Sequence, residues 1–309
     1  MGLYYQRFLL NSTQALEPRA SVSYQLSDRQ RVTFATGLHS QTQAMFMYDY
    51  KYYDSTASQY KQSNKNVDLT RSLHFVLGYQ RNLSESWRAK VEAYYQYMYN
   101  VPASASKRDY AGVFSTVNTG SDFNFNVADS LNNTGKGRNY GIELTLEKSF
   151  SRNFYLLANL SLLDSKYTTP DGIQRNTAFN VGHVFNLLAG KEFHLDNDNR
   201  KTISVDMKVS HSGGRRIIEV NEAESIRQDK AVYDYDNAYK TQLPSFFRAD
   251  LKVSYNINKA KSTHNVFLAA DNLLNTQNIL THDWDNDDKK VQTYYQLGLY
   301  PYLGYRVQF

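Results

Sequence analysis

The stretch FFRADLKVSYNIN, residues 246–258, decides the fold class of this chain. Its residues alternate between apolar and polar along the whole stretch. Because successive side chains of a β-strand point to opposite faces of a sheet, this period of two predicts an amphipathic strand. The apolar face would carry Phe247, Ala249, Leu251, Val253, Tyr255 and Ile257, and the polar face Arg248, Asp250, Lys252, Ser254, Asn256 and Asn258.

The same alternation recurs along the chain, for example at 87–97, 142–150 and 202–210. No segment shows helical spacing of comparable regularity. We therefore predict an all-β protein with twelve strands. The predicted strands are residues 2–10, 19–26, 30–39, 70–81, 86–98, 139–150, 153–166, 177–194, 200–213, 244–258, 263–275 and 292–309.

The connections between the predicted strands alternate in length. Such segregation is typical of bacterial outer-membrane barrels, which have short periplasmic turns and long extracellular loops. The short polar turns are residues 27–29, 83–86, 151–152, 196–199 and 259–262, and the long connections are residues 40–69, 99–138, 214–243 and 276–291.

Strand length supports a membrane location. Most predicted strands have roughly 10–15 residues, whereas strands of soluble proteins average about 5–6 and tilted membrane-crossing strands need about 9–11. The sequence offers no helices to cover the sheet, and an apolar face must be buried. We therefore predict an antiparallel transmembrane β-barrel whose apolar face contacts lipid.

The composition excludes several other classes. No apolar run approaches the roughly 18 residues that a membrane-spanning helix needs. Cysteine is absent, which excludes disulfides and thiolate metal sites. The net charge of +5 is dispersed without a basic block, so we do not expect nucleic acid as a partner.

Many aromatic residues, drawn from 26 Tyr, 16 Phe and 2 Trp, lie near the predicted strand ends. Aromatic side chains favour both membrane–water interfaces, so we predict two aromatic girdles. The high β-propensity of Tyr is the alternative explanation. The short-turn side has Phe150, Phe154, Phe193, Tyr255, Tyr305 and Phe309, and the long-loop side has Tyr97, Tyr99, Tyr140, Tyr167, Phe246 and Tyr294.

The stretch GLYPYLGYRVQF, residues 298–309, has the same alternation down to its last residue. Tyr305, Val307 and Phe309 share its apolar face. A strand of this pattern with a final Phe resembles the signal that the outer-membrane assembly machinery recognises, so these three residues are the candidate assembly signal. Pro301 lacks a backbone N–H, which predicts a local bulge in this strand.

Several segments resemble the C-terminal barrel of TonB-dependent outer-membrane receptors. They are similar to receptors of the Bacteroidetes type, which carry a carboxypeptidase-like regulatory domain. The segments are GRNYGIELTLEKSFSRNFYLLANLSLLDSKY (137–167), RNTAFNVGHVFNLLAGKEF (175–193), LPSFFRADLKVSYNIN (243–258), VFLAADNLLNTQNI (266–279) and EPRASVSYQLSDRQRVTFATGLHSQ (17–41).

This resemblance implies a 22-stranded barrel in the bacterial outer membrane, with a plug in its lumen. Residues 1–309 would be the C-terminal part of that barrel domain, without the plug and the first strands. The implied function is TonB-energised uptake of a scarce nutrient, such as a siderophore or a glycan. The implied partners are outer-membrane lipids, the assembly machinery, the nutrient and, through the missing plug only, the TonB complex.

The chemistry-bearing residues form no catalytic or metal-binding motif. The seven histidines are scattered, and the acidic run DWDNDDKK (283–290) lacks the Gly and the final Glu of a calcium loop. We therefore expect no enzyme activity, no catalytic residue, no metal and no cofactor. Rigid aromatics in loops suit ligand capture, so Tyr48, Tyr50, Tyr52 and Tyr53 are the candidate ligand-binding residues, unless they extend the aromatic girdle.

Two other functions remain open from the residues alone. Twelve strands closing on themselves would form a passive porin-like channel, and scattered Ser and His residues leave room for an outer-membrane enzyme such as a lipase.

The polar faces of the predicted strands also have two interpretations. Residues such as Arg88, Glu147, Arg248 and Asp250 would line a hydrophilic path, or they would pair with one another across strands.

Overall fold

The computed structural model describes residues 1–105, 110–121, 130–198 and 200–309. Parts of the predicted connection 99–138 and of the predicted turn 196–199 lie outside the described residues. The main element is one antiparallel sheet in which spatial order follows chain order. Its strands are β1 (Gly2–Arg7), β2 (Gln14–Ser27), β3 (Gln30–Gln41), β4 (Thr70–Asn82), β5 (Trp87–Ser104), β6 (Leu131–Ser151), β7 (Phe154–Thr168), β8 (His183–His194), β9 (Lys201–Ser212), β10 (Phe246–Asn258), β11 (Thr263–Asp271) and β12 (Tyr300–Gln308).

Each of the twelve predicted segments overlaps one of these strands, so the all-β antiparallel prediction is confirmed. A short segment, Gln174–Asn176, also pairs with β7. The strands β5 and β6 extend beyond their predicted ends into the connection between them. β1 and β12 stand at the two ends of the strand order.

Tight turns close one end of the sheet. Between β6 and β7, Arg152 and Asn153 have positive φ angles of 51° and 60°, and Ser151 pairs with Phe154. Two successive positive φ angles are the geometry of a two-residue hairpin turn that matches the right-handed twist of the strands. The predicted short turn 151–152 is therefore part of a tight hairpin turn.

One face of the sheet is apolar and exposed, and we call it the outer face. On β6, Ile142, Leu144 and Leu146 are 48%, 44% and 37% exposed. Leu144 pairs with Val91 of β5 and Leu160 of β7, so the apolar band runs across neighbouring strands. A contiguous apolar surface of this kind marks contact with lipid or protein. Other exposed apolar members include Phe34, Phe75, Leu77, Leu162, Met207, Val253, Val266, Leu268 and Leu303.

The opposite face, which we call the inner face, is polar, and many of its charges pair with one another. Arg88 forms an ion pair with Glu147 across β5 and β6. Arg248 on β10 lies 2.6 Å from Asp250 and 2.8 Å from Asp271. The pairs Arg88–Glu147 and Arg248–Asp271 join neighbouring strands, as the second interpretation of the sequence predicted, whereas Arg248 and Asp250 pair within one strand.

The last strand differs from its prediction in two ways. Residues Lys290–Tyr295 pair with Ile279–Asp285 in a separate loop hairpin, so only Tyr300–Gln308 belongs to the main sheet. The predicted bulge at Pro301 is wrong, because Pro301 pairs with Ala270 within an unbroken register. β12 is an edge strand of this sheet, and edge strands tolerate proline because one side of the strand makes no ladder bonds.

Candidate functional site

Tyr48 is not on the surface, in contrast to the exposed position expected for a ligand-binding loop residue. It ends the short helix α1 (Met45–Tyr48), and its side chain is fully buried. It packs in a small apolar cluster with Val67 and Leu131, and its ring lies 4.9 Å from that of Phe8. Tyr48 thus anchors the first long loop to the sheet.

The other candidate tyrosines lie nearer the surface. Tyr50 is half-buried, and Tyr52 and Tyr53 belong to a two-stranded hairpin of Tyr52–Asp54 and Gln59–Lys61. Tyr53 is 55% exposed, and its ring meets that of Tyr60 edge-on at 5.3 Å. Their role in binding a ligand stays a prediction.

A cavity of about 220 Å³ lies among three of the long connections. We call it the loop cavity. It is bounded by residues 110–121 between β5 and β6, residues 215–239 between β9 and β10, and residues 281–283 between β11 and β12. The sequence analysis missed this site because its residues are distant in sequence, although the Tyr-rich segment 233–239 marks one of its walls.

Aromatic rings form one wall of the loop cavity. The ring of Tyr110 lies 5.6 Å from that of Phe114 and 6.0 Å from that of Tyr235, the latter pair edge-to-face. Burial, with smaller contributions from Tyr110 and Tyr233, raises the pKa of Tyr235 to about 12. An ordinary tyrosine is already uncharged at physiological pH, and the shift moves its pKa further from that range.

Two arginines connect the loops around the cavity. Arg215 donates hydrogen bonds to the carbonyls of Ser121 and Leu280, which belong to two other connections. Arg216 donates from Nε to the carbonyl of Asn180 at 3.0 Å and from Nη1 to that of Lys240 at 2.8 Å. These bonds hold separate chain segments in fixed relative positions.

Tyr167 forms the base beneath the loops. Its side chain is 1% exposed, its hydroxyl donates to the carbonyl of Val113 at 2.9 Å, and its ring lies 6.0 Å from that of Tyr239. The prediction that Tyr167 belongs to an interfacial girdle is wrong, because this ring packs inside the molecule under the loop cavity.

An ion pair stabilises the turn that follows β7. Arg175 Nη2 lies 2.6 Å from Asp171 Oδ2, and Asp171 Oδ1 accepts from the N–H of Ile173 at 2.9 Å. Burial alone would raise the pKa of Asp171, but hydrogen bonds from Arg175, Ile173 and Thr169 outweigh it and lower the pKa below the ordinary 3.8.

This pKa shift predicts acid sensitivity of the turn. The stabilisation is complete above the ordinary pKa and is lost as pH falls through the lowered pKa of the folded state. We expect the amide of Ile173 to stay protected at neutral pH and to lose protection at pH values below about 3.9. Hydrogen exchange, corrected for its intrinsic pH dependence, measures this. Asp171→Asn should abolish the pH dependence, and an unchanged profile in that variant would contradict the assignment.

The acidic run 283–290 stabilises a turn in the described structure. Asp285 Oδ1 accepts from the N–H groups of Asp287 and Asp288 at 2.9 Å and 3.0 Å. Within the described ranges, no group of three or more His, Asp or Glu side chains is arranged to hold a metal ion. No helix among the described residues is long and apolar enough to cross a membrane.

The candidate assembly residues lie at the edge of the sheet. Tyr305 is 63% exposed, and its hydroxyl hydrogen-bonds with Nδ1 of His264 at 2.7 Å. Val307 pairs with His264, and Phe309 follows the last residue of β12 with its side chain fully exposed. Recognition of these residues by the assembly machinery stays a prediction.

An antiparallel sheet with an apolar outer face, a polar inner face, short turns at one end and long loops at the other defines the class of outer-membrane β-barrel proteins. A family model described as TonB dependent receptor-like, beta-barrel, matches residues 4–273. The chain therefore belongs to this family, a family of receptors and transporters rather than of enzymes, and its location is the bacterial outer membrane.

Three solved structures illustrate the likeness of fold. The ferric preacinetobactin receptor BauA from Acinetobacter baumannii has a TM-score of 0.61 at 13% identity, over 96% of this chain and 36% of the receptor. The ferric yersiniabactin uptake receptor FyuA from Yersinia pestis has a TM-score of 0.62 at 12% identity, over 95% of this chain and 37% of the receptor. The outer membrane transporter YddB from Escherichia coli has a TM-score of 0.62 at 14% identity, over 98% of this chain and 42% of the transporter.

The chain thus spans about two fifths of the length of these proteins or slightly less. Identities this low show the common fold alone. No curated protein matches the chain.

Proposed function

We propose that the chain is part of the barrel of a TonB-dependent receptor that takes up a scarce nutrient, such as a siderophore or a glycan. The observation that carries this proposal is an apolar outer face combined with a polar inner face, in a sheet that belongs to this receptor family. The long loops supply the outer capture surface, and a plug in the same protein transmits the action of the TonB complex.

The two edges of the sheet support the proposal that residues 1–309 form the C-terminal part of a larger barrel. β1 and β12 each have one neighbour in the strand order. A lipid environment requires the backbone groups of such edges to be paired. In our proposal, further strands of the same protein complete a 22-stranded barrel. The quoted sequence segments favour the Bacteroidetes subgroup with a carboxypeptidase-like regulatory domain.

The proposed partners follow from these surfaces. Outer-membrane lipids contact the apolar face, and the assembly machinery recognises Tyr305, Val307 and Phe309 on the exposed face of the edge strand. Tyr53, with its exposed ring, adds to the outer binding surface. The chain carries out no catalytic step and needs no cofactor in this function.

Uptake assays with labelled nutrients test the proposal. In the host, deletion of the gene is expected to abolish uptake of either a labelled ferric siderophore or a labelled oligosaccharide. Removal of TonB from a strain that carries the gene should abolish the same uptake, because transport through a plugged barrel needs energy from TonB. Uptake that persists without TonB would contradict the proposal.

Two measurements address the other functions that the sequence left open. A passive channel of twelve strands predicts ion conductance by the chain alone in planar bilayers. An outer-membrane lipase predicts lipid hydrolysis in detergent and labelling of a single Ser by a serine-directed reagent. Either result would replace the proposed function.

A further inference from the structure

A group of basic side chains lies on the outer face of the sheet, at the end where the long connections begin. Leu144 faces outward on β6, and Arg138 is six residues away on the same face. On the two neighbouring strands, Arg138 pairs with Tyr97 of β5 and Lys166 of β7. We define the cationic patch as four residues of this outward-facing region: Arg71 of β4, Lys136 and Arg138 of β6, and Lys166 of β7.

The depth of the cationic patch matches lipid headgroups rather than acyl chains. Leu144 is near the middle of the outward apolar positions of β6, which run from Tyr140 to Phe150. The six residues from Leu144 to Arg138 span about 20 Å of strand. A strand tilt of about 40° reduces this distance to about 15 Å along the membrane normal, whereas half of a barrel's apolar band is about 12 Å. The patch therefore lies just outside the acyl region, on the extracellular side where the long loops are.

The positive charges of the patch are poorly balanced by the protein itself. Arg138 and Lys166 stand directly opposite each other, and like charges in this position destabilise a strand pair. Among the described residues, Asp164 is the one carboxylate at an outward position of β4–β7, and it lies 3.5 Å from Lys166. Four cations thus share a single protein anion, so a further anion would stabilise this region.

The two arginines of the patch have hydrogen-bond donors to spare. Arg138 Nη2 donates to the side-chain oxygen of Gln174 at 3.4 Å, and Arg71 Nη2 donates to the carbonyl of Gln14 at 3.3 Å. Both bonds are longer than usual. The Nε atoms of Arg71 and Arg138 have no hydrogen-bond partner among the described residues. Because the planar fork of a guanidinium matches the oxygens of a phosphate, these groups suit a phosphate ligand.

Tyrosine rings connect the cations of the patch. Tyr97 and Tyr99 of β5 stack with ring centres 6.2 Å apart; Tyr99 pairs with Arg71, and Tyr97 pairs with Arg138. The guanidinium of Arg138 lies 5.6 Å from the ring centre of Tyr140. Rings with a polar hydroxyl suit the boundary between acyl chains and headgroups. The surface therefore offers apolar contact and positive charge side by side.

We propose that the cationic patch binds the phosphate group of a phosphorylated lipid in the outer leaflet, whose acyl chains lie along the apolar outer face. Charge complementarity selects a phosphate, and the position next to the apolar band selects a lipid rather than a free anion. This inference rests on the proposed contact between the outer face and membrane lipids, and it names the headgroup chemistry of that partner.

Native mass spectrometry of the full receptor in micelles of an uncharged detergent tests this inference. The probe is dioleoyl phosphatidic acid, and the matched control is dioleoylglycerol, which has the same acyl chains and no phosphate. We expect the phosphatidic acid to bind at least about tenfold more tightly, because charge-assisted hydrogen bonds are stronger than neutral ones. Glycerol 3-phosphate at equal concentration should not compete, because it has no acyl chains. Competition by it would show a site for free anions and overturn the lipid assignment.

Variants identify the location of binding. Arg138→Gln is expected to weaken binding of the phosphatidic acid about tenfold. Arg71→Gln should do the same and serves as the second test if the first variant folds poorly. Lys208→Gln removes one positive charge from an exposed side chain on the inner face of β9 and should leave the affinity unchanged.

The inference is overturned if the phosphatidic acid binds no more tightly than dioleoylglycerol, or if folded Arg138→Gln and Arg71→Gln variants both keep full affinity. An equal loss from Lys208→Gln would also overturn it, because net charge rather than the patch would then decide binding. Lipid binding is measured without TonB or nutrient. Lipid binding without TonB-dependent uptake would overturn the proposed function alone, and uptake without a preference for the phosphatidic acid would overturn this inference alone.

Discussion

Replacement of Leu144 by arginine is expected to lower the free energy of unfolding in lipid vesicles by about 2–4 kcal/mol. Leu144 lies on the outer face of β6, between Tyr140 towards the long loops and Phe150 towards the short turn. This position is near the middle of the apolar band. A guanidinium there loses its hydration without gaining a partner, and it is too deep to reach either interface without distortion. Reversible urea unfolding in vesicles measures the change.

The next residue provides the matched control. Thr145 pairs with Lys90 and Asn159 and faces the polar inner side. Thr145→Arg introduces the same side chain one position along the strand and should change the free energy of unfolding by less than about 1 kcal/mol. Equal losses from the two variants would show that the apolar face of β6 does not contact lipid.

Replacement of Tyr167 by alanine is expected to destabilise the long-loop end by about 3–5 kcal/mol. The change leaves a cavity where a buried ring packs near Tyr239, and it leaves the carbonyl of Val113 without its donor. Thermal unfolding of the receptor in micelles measures the loss.

Tyr167→Phe separates packing from hydrogen bonding. This variant keeps the ring and removes only the hydroxyl, so the expected loss is about 1 kcal/mol. Tyr95→Ala, at an exposed tyrosine on β5 of the same sheet, is the second control and should cost much less than Tyr167→Ala. If Tyr167→Ala melts at the same temperature as the unchanged protein, the ring does not support the loops.

The alternating pattern of segment 246–258 was sufficient to predict β10, and the same pattern located the other strands of the sheet. Side-chain alternation is a local property of extended backbone, so sequence alone shows it. Two errors, the long last strand and the bulge at Pro301, have a common cause. Both features depend on which strand lies beside each segment. Neighbouring strands decide that Lys290–Tyr295 joins the loop hairpin rather than the main sheet, and that Pro301 lies on an edge strand.

The candidate site was harder to predict. The high density of tyrosines in its loop made Tyr48 a candidate ligand-binding residue, but its side chain is buried beneath that loop. The loop cavity depends on Ser115, Arg215 and His282, which no sequence motif connects. Only the sheet, by holding the ends of three connections at one rim, brings these residues together.

The amino-acid sequence by itself determined which residues form strands, which face of each strand is apolar, and which connections are short. These features arise from neighbouring residues and the geometry of a single extended chain. The tertiary structure alone decided which aromatic rings are buried and which loops meet to enclose a cavity. Those features depend on contacts between segments far apart in the chain, and no local pattern records them.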